Sequence, residues 1–141
     1  MSRPRVFITQ PVAARAVERL QRVADVDGNP DPLRILDTAE LAEAVRTRDI
    51  LFCLVQDTVD ADVIAANPAL RMIATMTITP QQIDVGAATA RRIPVTTIPP
   101  MVTEATADLA MALLLAVARR VSEADRLVRD GMFPGAQSRR L

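Results

Sequence analysis

Short apolar runs along this chain alternate with stretches in which apolar residues recur at helical spacing. RVFIT at Arg5–Thr9 predicts a strand, and PVAARAVERLQRV after it places Ala13, Ala16, Val17, Leu20 and Val23 on a helix. Weaker extended character returns at ADVDGN. DTAELAEAVRTR then predicts a helix opened by a capping box, with Asp37 accepting from the Glu40 amide and Glu40 answering, and the apolar strand DILFCLV follows. The pattern repeats from Asp60: a short helix DADVIAAN ending at Pro68, a strand LRMIATM, a helix from Asp84 through VGAATARR, and a strand IPVTT.

Helices between short apolar strands imply a parallel sheet covered on both faces. Five such strands joined by right-handed crossovers make a flavodoxin-like doubly wound α/β domain, predicted over residues 1–101. VTEATADLAMALLLAVARRVSEADRLVRDG predicts one long helix over residues 102–131, with Thr103 as N-cap, Glu104 in the first turn and Gly131 just past the end. Its second half is amphipathic: Val117, Val121, Ala124 and Val128 share a face, and Arg119, Arg120, Glu123, Arg126 and Arg129 face water. Its first half has no polar stripe beyond Asp108. That surface needs a partner, and a symmetric dimer through the helix Thr103–Asp130 supplies one. Residues 132–141, with turn-forming residues and no periodicity, read as a loose tail.

Composition narrows the chemistry. With 17 basic residues against 17 acidic ones the chain is neutral, which argues against a nucleic-acid or anionic-membrane partner. Every basic residue is arginine, and Lys, His, Trp and Tyr are absent, so few acids, bases or amine nucleophiles remain. Cys53, the single cysteine, lies in an apolar run and reads as a small buried hydrophobe, which leaves no disulfide and no thiolate metal site. The four glycines, Gly28, Gly86, Gly131 and Gly135, form no phosphate-binding fingerprint. Carboxylates such as Glu40, Glu43 and Asp125 read as solvated helix faces. The N-terminus lacks a signal-peptide core and the apolar run within Leu109–Ala118 is too short to span a bilayer, so a cytoplasmic, membrane-free protein is expected.

The segments VFITQPV, DILFCLVQDTVDADVIAANPALRMIA, IDVGAATARRIPVT and, most specifically, TEATADLAMALLLAVARRVSEADRLVRDG resemble the N-terminal, substrate-binding region of D-2-hydroxyacid dehydrogenases, nearest the glyoxylate/hydroxypyruvate reductase branch. The resemblance implies a portion of an NAD(P)-dependent oxidoreductase acting on a small 2-oxo or 2-hydroxy acid, and a homodimer built on the long helix. It implies that the amides of Ile78 and Thr79 hold the substrate carboxylate, that Leu54 lines the pocket, and that Thr106 approaches the nicotinamide. Amides donate to an anion at low desolvation cost, and a small side chain lets a cofactor ring come close. The family's dinucleotide fingerprint and its catalytic arginine, glutamate and histidine fall beyond Leu141, so the resemblance assigns no catalytic residue or metal here. NAD or NADP belongs to a full-length relative, and the chain alone is expected to be inactive.

The loop departs from the family pattern. Where the family reads VGYDNID this chain reads ITPQQID, so Thr79 stands for a glycine and Pro80 follows it, which biases Thr79 toward extended geometry. Arg92 and Pro100 stand for further glycines, and Phe133 and Ala136 for tryptophans. Two other readings accommodate these changes: a stand-alone dimeric module that binds a small carboxylic acid or a protein partner, and a cofactor-free lyase or hydratase using Asp57 or Gln81.

Overall fold

A computed structural model of the chain describes residues 3–132. The chain divides into two compact units, residues 1–99 and residues 100–141. The first contains strands β1 (Arg5–Ile8), β2 (Asp25–Gly28), β3 (Ile50–Cys53), β4 (Met72–Thr75) and β5 (Val95–Thr96). Helices α1 (Ala14–Gln21), α2 (Thr38–Val45), α3 (Ala61–Ala65) and α4 (Val85–Ala90) connect them in strict alternation. The five strands form one sheet in the order β2-β1-β3-β4-β5, and every neighbouring pair is parallel. This is the flavodoxin-like doubly wound arrangement expected from the alternation of patterns.

Helix starts follow from three aspartates. Asp37, Asp60 and Asp84 precede α2, α3 and α4, and their carboxylates accept from the amides of Glu40 (2.8 Å), Val63 (2.9 Å) and Ala87 (2.8 Å). Each satisfies an amide that the helix leaves without an internal partner. The Glu40 carboxylate returns a bond to the Asp37 amide (3.1 Å), which completes the predicted capping box.

Alternation along the strands divides the apolar residues between two faces. Phe7, Leu51, Cys53 and Ile73 join Leu41, Val45, Val63, Ile64 and Ala88 from α2, α3 and α4 in the main core. Val6 and Ile8 point the other way, with Ala24, and are covered by Val17 and Leu20 of α1. On this second face Ile50, Phe52, Met72 and Ala74 are only half-buried. Val23, expected on the apolar face of the first helix, lies past the end of α1 and is exposed. At the end of β2, a Cβ on Gly28 would stand 2.4 Å from the Ile8 carbonyl oxygen, so the close approach of these strand ends requires glycine.

The second unit corrects the single-helix expectation for residues 102–131. It contains two helices, α5 (Thr103–Ala118) and α6 (Val121–Arg129), separated by Arg120 in the left-handed conformation at φ 53°. The break carries no glycine or proline, but its charges suit two helix ends. Arg119 and Arg120 follow the C-terminus of α5, while Glu123 stands in the first turn of α6 and pairs with the Arg120 guanidinium at 2.5 Å. The Arg120 carbonyl accepts from the Glu123 and Ala124 amides, both at 3.1 Å, so this residue begins the second helix. The expected cap at Thr103 is also corrected. Val102 is the N-cap residue, without a side-chain cap, and Thr103 is the first helical residue. Gly131 takes the expected left-handed geometry at φ 72°. None of α5 is buried, and Leu109, Met111, Leu113, Leu114 and Leu115 are each more than half exposed. No helix among the described residues is long and apolar enough to cross a membrane. The loose tail, with Phe133 and Ala136, lies outside the described residues apart from Met132.

Candidate functional site

The strand order reverses direction between β1 and β3, and in sheets of this kind the crevice at the carboxyl ends of such strands is where ligands bind. Thr9 follows β1 at this point, and its amide donates to the Phe52 carbonyl of β3 at 3.1 Å. Its hydroxyl donates to Asp57 Oδ2 at 2.5 Å, and the Leu54 amide donates to the same oxygen at 2.6 Å. Both Thr9 and Asp57 are buried, and Asp57 Oδ1 has no partner among the described residues. The Asp57 amide donates back to the Leu54 carbonyl at 3.3 Å, closing a tight turn after β3. Asp57 thus holds its own loop and ties it to β1.

A second set of polar side chains gathers at the end of β4. The hydroxyls of Thr75 and Thr77 lie 3.0 Å apart, and Thr77 Oγ1 donates to the Thr79 carbonyl at 2.8 Å. Gln82 Nε2 lies 2.6 Å from Thr75 Oγ1, 3.3 Å from Thr77 Oγ1 and 3.5 Å from the Leu54 carbonyl. The Thr77 carbonyl accepts from the Ile98 amide at 3.0 Å. The loop from Met76 to Thr79 is therefore fixed by hydrogen bonds rather than by apolar packing.

Three of the four residues that the family resemblance singles out come to this edge of the sheet. Leu54 is half-buried at the end of β3, while Ile78 and Thr79 are exposed on the loop after β4. Neither the Ile78 nor the Thr79 amide donates to a protein group among the described residues. Pro80 has no amide to donate, and its carbonyl accepts from the Ile83 amide at 3.0 Å. Thr106 belongs to the second unit, in the first turn of α5, and its hydroxyl donates to the Val102 carbonyl at 2.7 Å.

Sequence reasoning singled out Gln81 and missed Gln82. Gln81 is exposed, and its half-buried neighbour supplies the amide that enters the polar set. No local pattern marks Gln82, which lies in the turn closed by the Ile83 amide on the Pro80 carbonyl and meets its partners only through the fold.

Burial pushes the Cys53 thiol up to about 11, the Asp57 charge pushes it the same way, and the Thr75 hydrogen bond offsets only part. A thiol so held is neutral and a poor nucleophile. No group of three potential metal ligands occurs among the described residues. Nor do the residues fit a dinucleotide: the glycines are not spaced for a phosphate-binding turn, and Gly28 is already filled by the Ile8 backbone. A groove of about 600 Å³ beside α1, lined chiefly by Val12, Val17, Leu20, Val23 and Phe52 with Arg19 and Arg22, is mostly apolar and holds none of the polar set.

Comparison with known proteins agrees with the fold. The glyoxylate reductase of Aeropyrum pernix is 43% identical over 135 residues, covering 93% of this chain and 39% of its own length. A protein of known structure from Thermus thermophilus superposes with a TM-score of 0.84 at 38% identity, over 96% of this chain and 43% of that one. A Polaromonas protein described as a D-isomer specific 2-hydroxyacid dehydrogenase, NAD-binding, gives a TM-score of 0.87 at 29% identity, over 99% of this chain and 44% of that one. The chain thus spans about 39% of the length of the curated relatives it matches. The family described as D-isomer specific 2-hydroxyacid dehydrogenase, catalytic domain, matches residues 6–136, and this chain belongs to it.

Proposed function

We propose that the chain is the substrate-binding portion of an NAD(P)-dependent dehydrogenase that reduces a small 2-oxo acid of the glyoxylate or hydroxypyruvate kind. The observation that carries this reading is the pair of unengaged amides, Ile78 and Thr79, on a loop fixed at the sheet edge in a chain 43% identical to a glyoxylate reductase. Two amides held in place bind a carboxylate without the reorganisation that solvent-exposed side chains require. Leu54 forms the apolar wall beside them. Its amide and carbonyl are both engaged, so only its side chain is free to meet a ligand.

Reduction of a 2-oxo acid also needs a hydride donor and a proton for the developing alkoxide. The residues described here hold neither, so their part is recognition, and Thr106 is the one residue assigned to face the nicotinamide. Partnering follows from α5. Its apolar side chains project in every direction, and a second copy of the chain covers part of them in a homodimer.

The test is a glyoxylate titration of the isotopically labelled chain followed by nuclear magnetic resonance. Saturable shifts of the Ile78 and Thr79 amide signals support the reading. Signals that stay in place through the millimolar range overturn it.

A further inference from the structure

We infer that Gln82 is a positioning residue, whose amide fixes the geometry of the Ile78–Thr79 loop against the end of β3. The inference deepens the carboxylate-binding reading above and rests on it only for its binding arm. Three acceptors surround Gln82 Nε2: Thr75 Oγ1 at 2.6 Å, Thr77 Oγ1 at 3.3 Å and the Leu54 carbonyl at 3.5 Å. A primary amide nitrogen has two hydrogens, so the bonds are shared among the three, with the shortest to Thr75. Thr75 belongs to β4, Thr77 leads the loop, and Leu54 ends β3. One side chain therefore touches each of the segments that bear the candidate binding residues.

The route from Gln82 to the binding amides is short. Thr77 Oγ1 faces the Gln82 amide on one side and donates to the Thr79 carbonyl at 2.8 Å on the other. Fixing that carbonyl orients the peptide plane after Thr79, and the Thr77 carbonyl, bonded to the Ile98 amide, fixes the plane two residues earlier. The Ile78 amide belongs to the earlier of these planes, and the Thr79 amide lies in the plane between them. Gln82 is itself anchored, because its carbonyl accepts from the Val59 amide at 2.9 Å and Ile83 beside it is buried. It is thus a rigid strut rather than a swinging side chain. A Leu or Met of similar size would fill the space but could not donate, and the two threonine hydroxyls would be left to satisfy each other.

The experiment compares the 141-residue chain with Gln82→Leu, Gln82→Asn and Thr77→Val. Amide hydrogen exchange is read without ligand, and glyoxylate titration is read at the Ile78 and Thr79 signals. In Gln82→Leu the Ile98 amide, which reports the Thr77 carbonyl, should exchange about tenfold faster, while the Ile73 amide in the sheet core keeps its wild-type rate. Thr77→Val should give the same pattern. Gln82→Asn keeps a donor but stops one methylene short of Thr75 Oγ1, and should exchange at a rate between those of the wild type and Gln82→Leu. Glyoxylate affinity should fall severalfold in Gln82→Leu and Thr77→Val and fall less in Gln82→Asn. Wild-type exchange at Ile98 in Gln82→Leu overturns the inference, and so does faster exchange of Ile98 and Ile73 together, which would mean general loosening. If glyoxylate moves no signal even in the wild type, the carboxylate-binding reading fails, and exchange at Ile98 still decides the role of Gln82.

Discussion

The hydroxyl of Thr9 donates to Asp57 Oδ2 at 2.5 Å, and both residues are buried where the order of strands in the sheet reverses. This bond joins the chain leaving β1 to the chain leaving β3. Because Oδ2 also accepts from the Leu54 amide, the carboxylate serves the sheet and the candidate pocket at once.

Removing the Thr9 hydroxyl is therefore expected to cost more than an ordinary surface hydrogen bond. Thr9→Val keeps the side-chain shape and leaves a buried carboxylate oxygen short of a donor, an effect of about 1–3 kcal/mol. Urea unfolding monitored by circular dichroism checks this. A midpoint unchanged from wild type would mean that water replaces the lost donor.

Arg92 sits at φ 59°, in the left-handed region that side chains other than glycine enter at a cost of about 1–2 kcal/mol. Arg92→Gly should relieve that strain and raise stability by about 1 kcal/mol, less what glycine adds to the freedom of the unfolded chain. A fall in the thermal midpoint would show that the Arg92 side chain contributes more than its backbone costs.

Cys53 gives a dependence on alkaline pH. Its thiol is raised from 9.0 to about 11 by burial, so the folded state holds its proton where the unfolded state has lost it. Stability from this group is complete below about pH 9 and declines as pH rises from 9.0 toward about 11. Urea midpoints should fall across that window in the wild type and fall less in Cys53→Ser. Equal slopes in the two proteins would refute the assignment.

The homodimer reading places a second copy on the exposed leucines of α5. Leu113→Glu would bury a charge in that contact and should convert a dimer to a monomer at micromolar concentration, as seen by light scattering. A wild-type chain that is already monomeric under these conditions defeats the reading.

Thr79 has no left-handed geometry, so the loop as built does not need the glycine found in the family pattern. Thr79→Gly combined with Pro80→Ala should loosen the loop, lower stability by about 1 kcal/mol and weaken glyoxylate binding severalfold. An unchanged affinity would remove this loop from the site.

Much of the first unit was legible because its signals are local. Asp37, Asp60 and Asp84 each stand just before a run at helical spacing, and the order of short apolar strands between helices leaves few topologies. The proposed site was legible only through resemblance, since amides such as those of Ile78 and Thr79 belong to backbone that any residue carries. Gln82 was hidden because its role depends on Thr75, Thr77 and Leu54 meeting across two strands. The break at Arg120 was hidden for another reason. No glycine or proline marks it, and the charges that suit the two helix ends read equally well as the wet face of one helix.

Leu54 has its amide held by Asp57 and its carbonyl held by the Asp57 amide and Gln82. Nothing in that arrangement depends on the leucine side chain. If Leu54 is the pocket wall proposed above, that wall can be exchanged for a smaller or larger residue while its Cα stays where the neighbours put it. In a lineage whose members meet different acids, such a position lets selection alter the shape of the ligand accepted without disturbing the strands that support it.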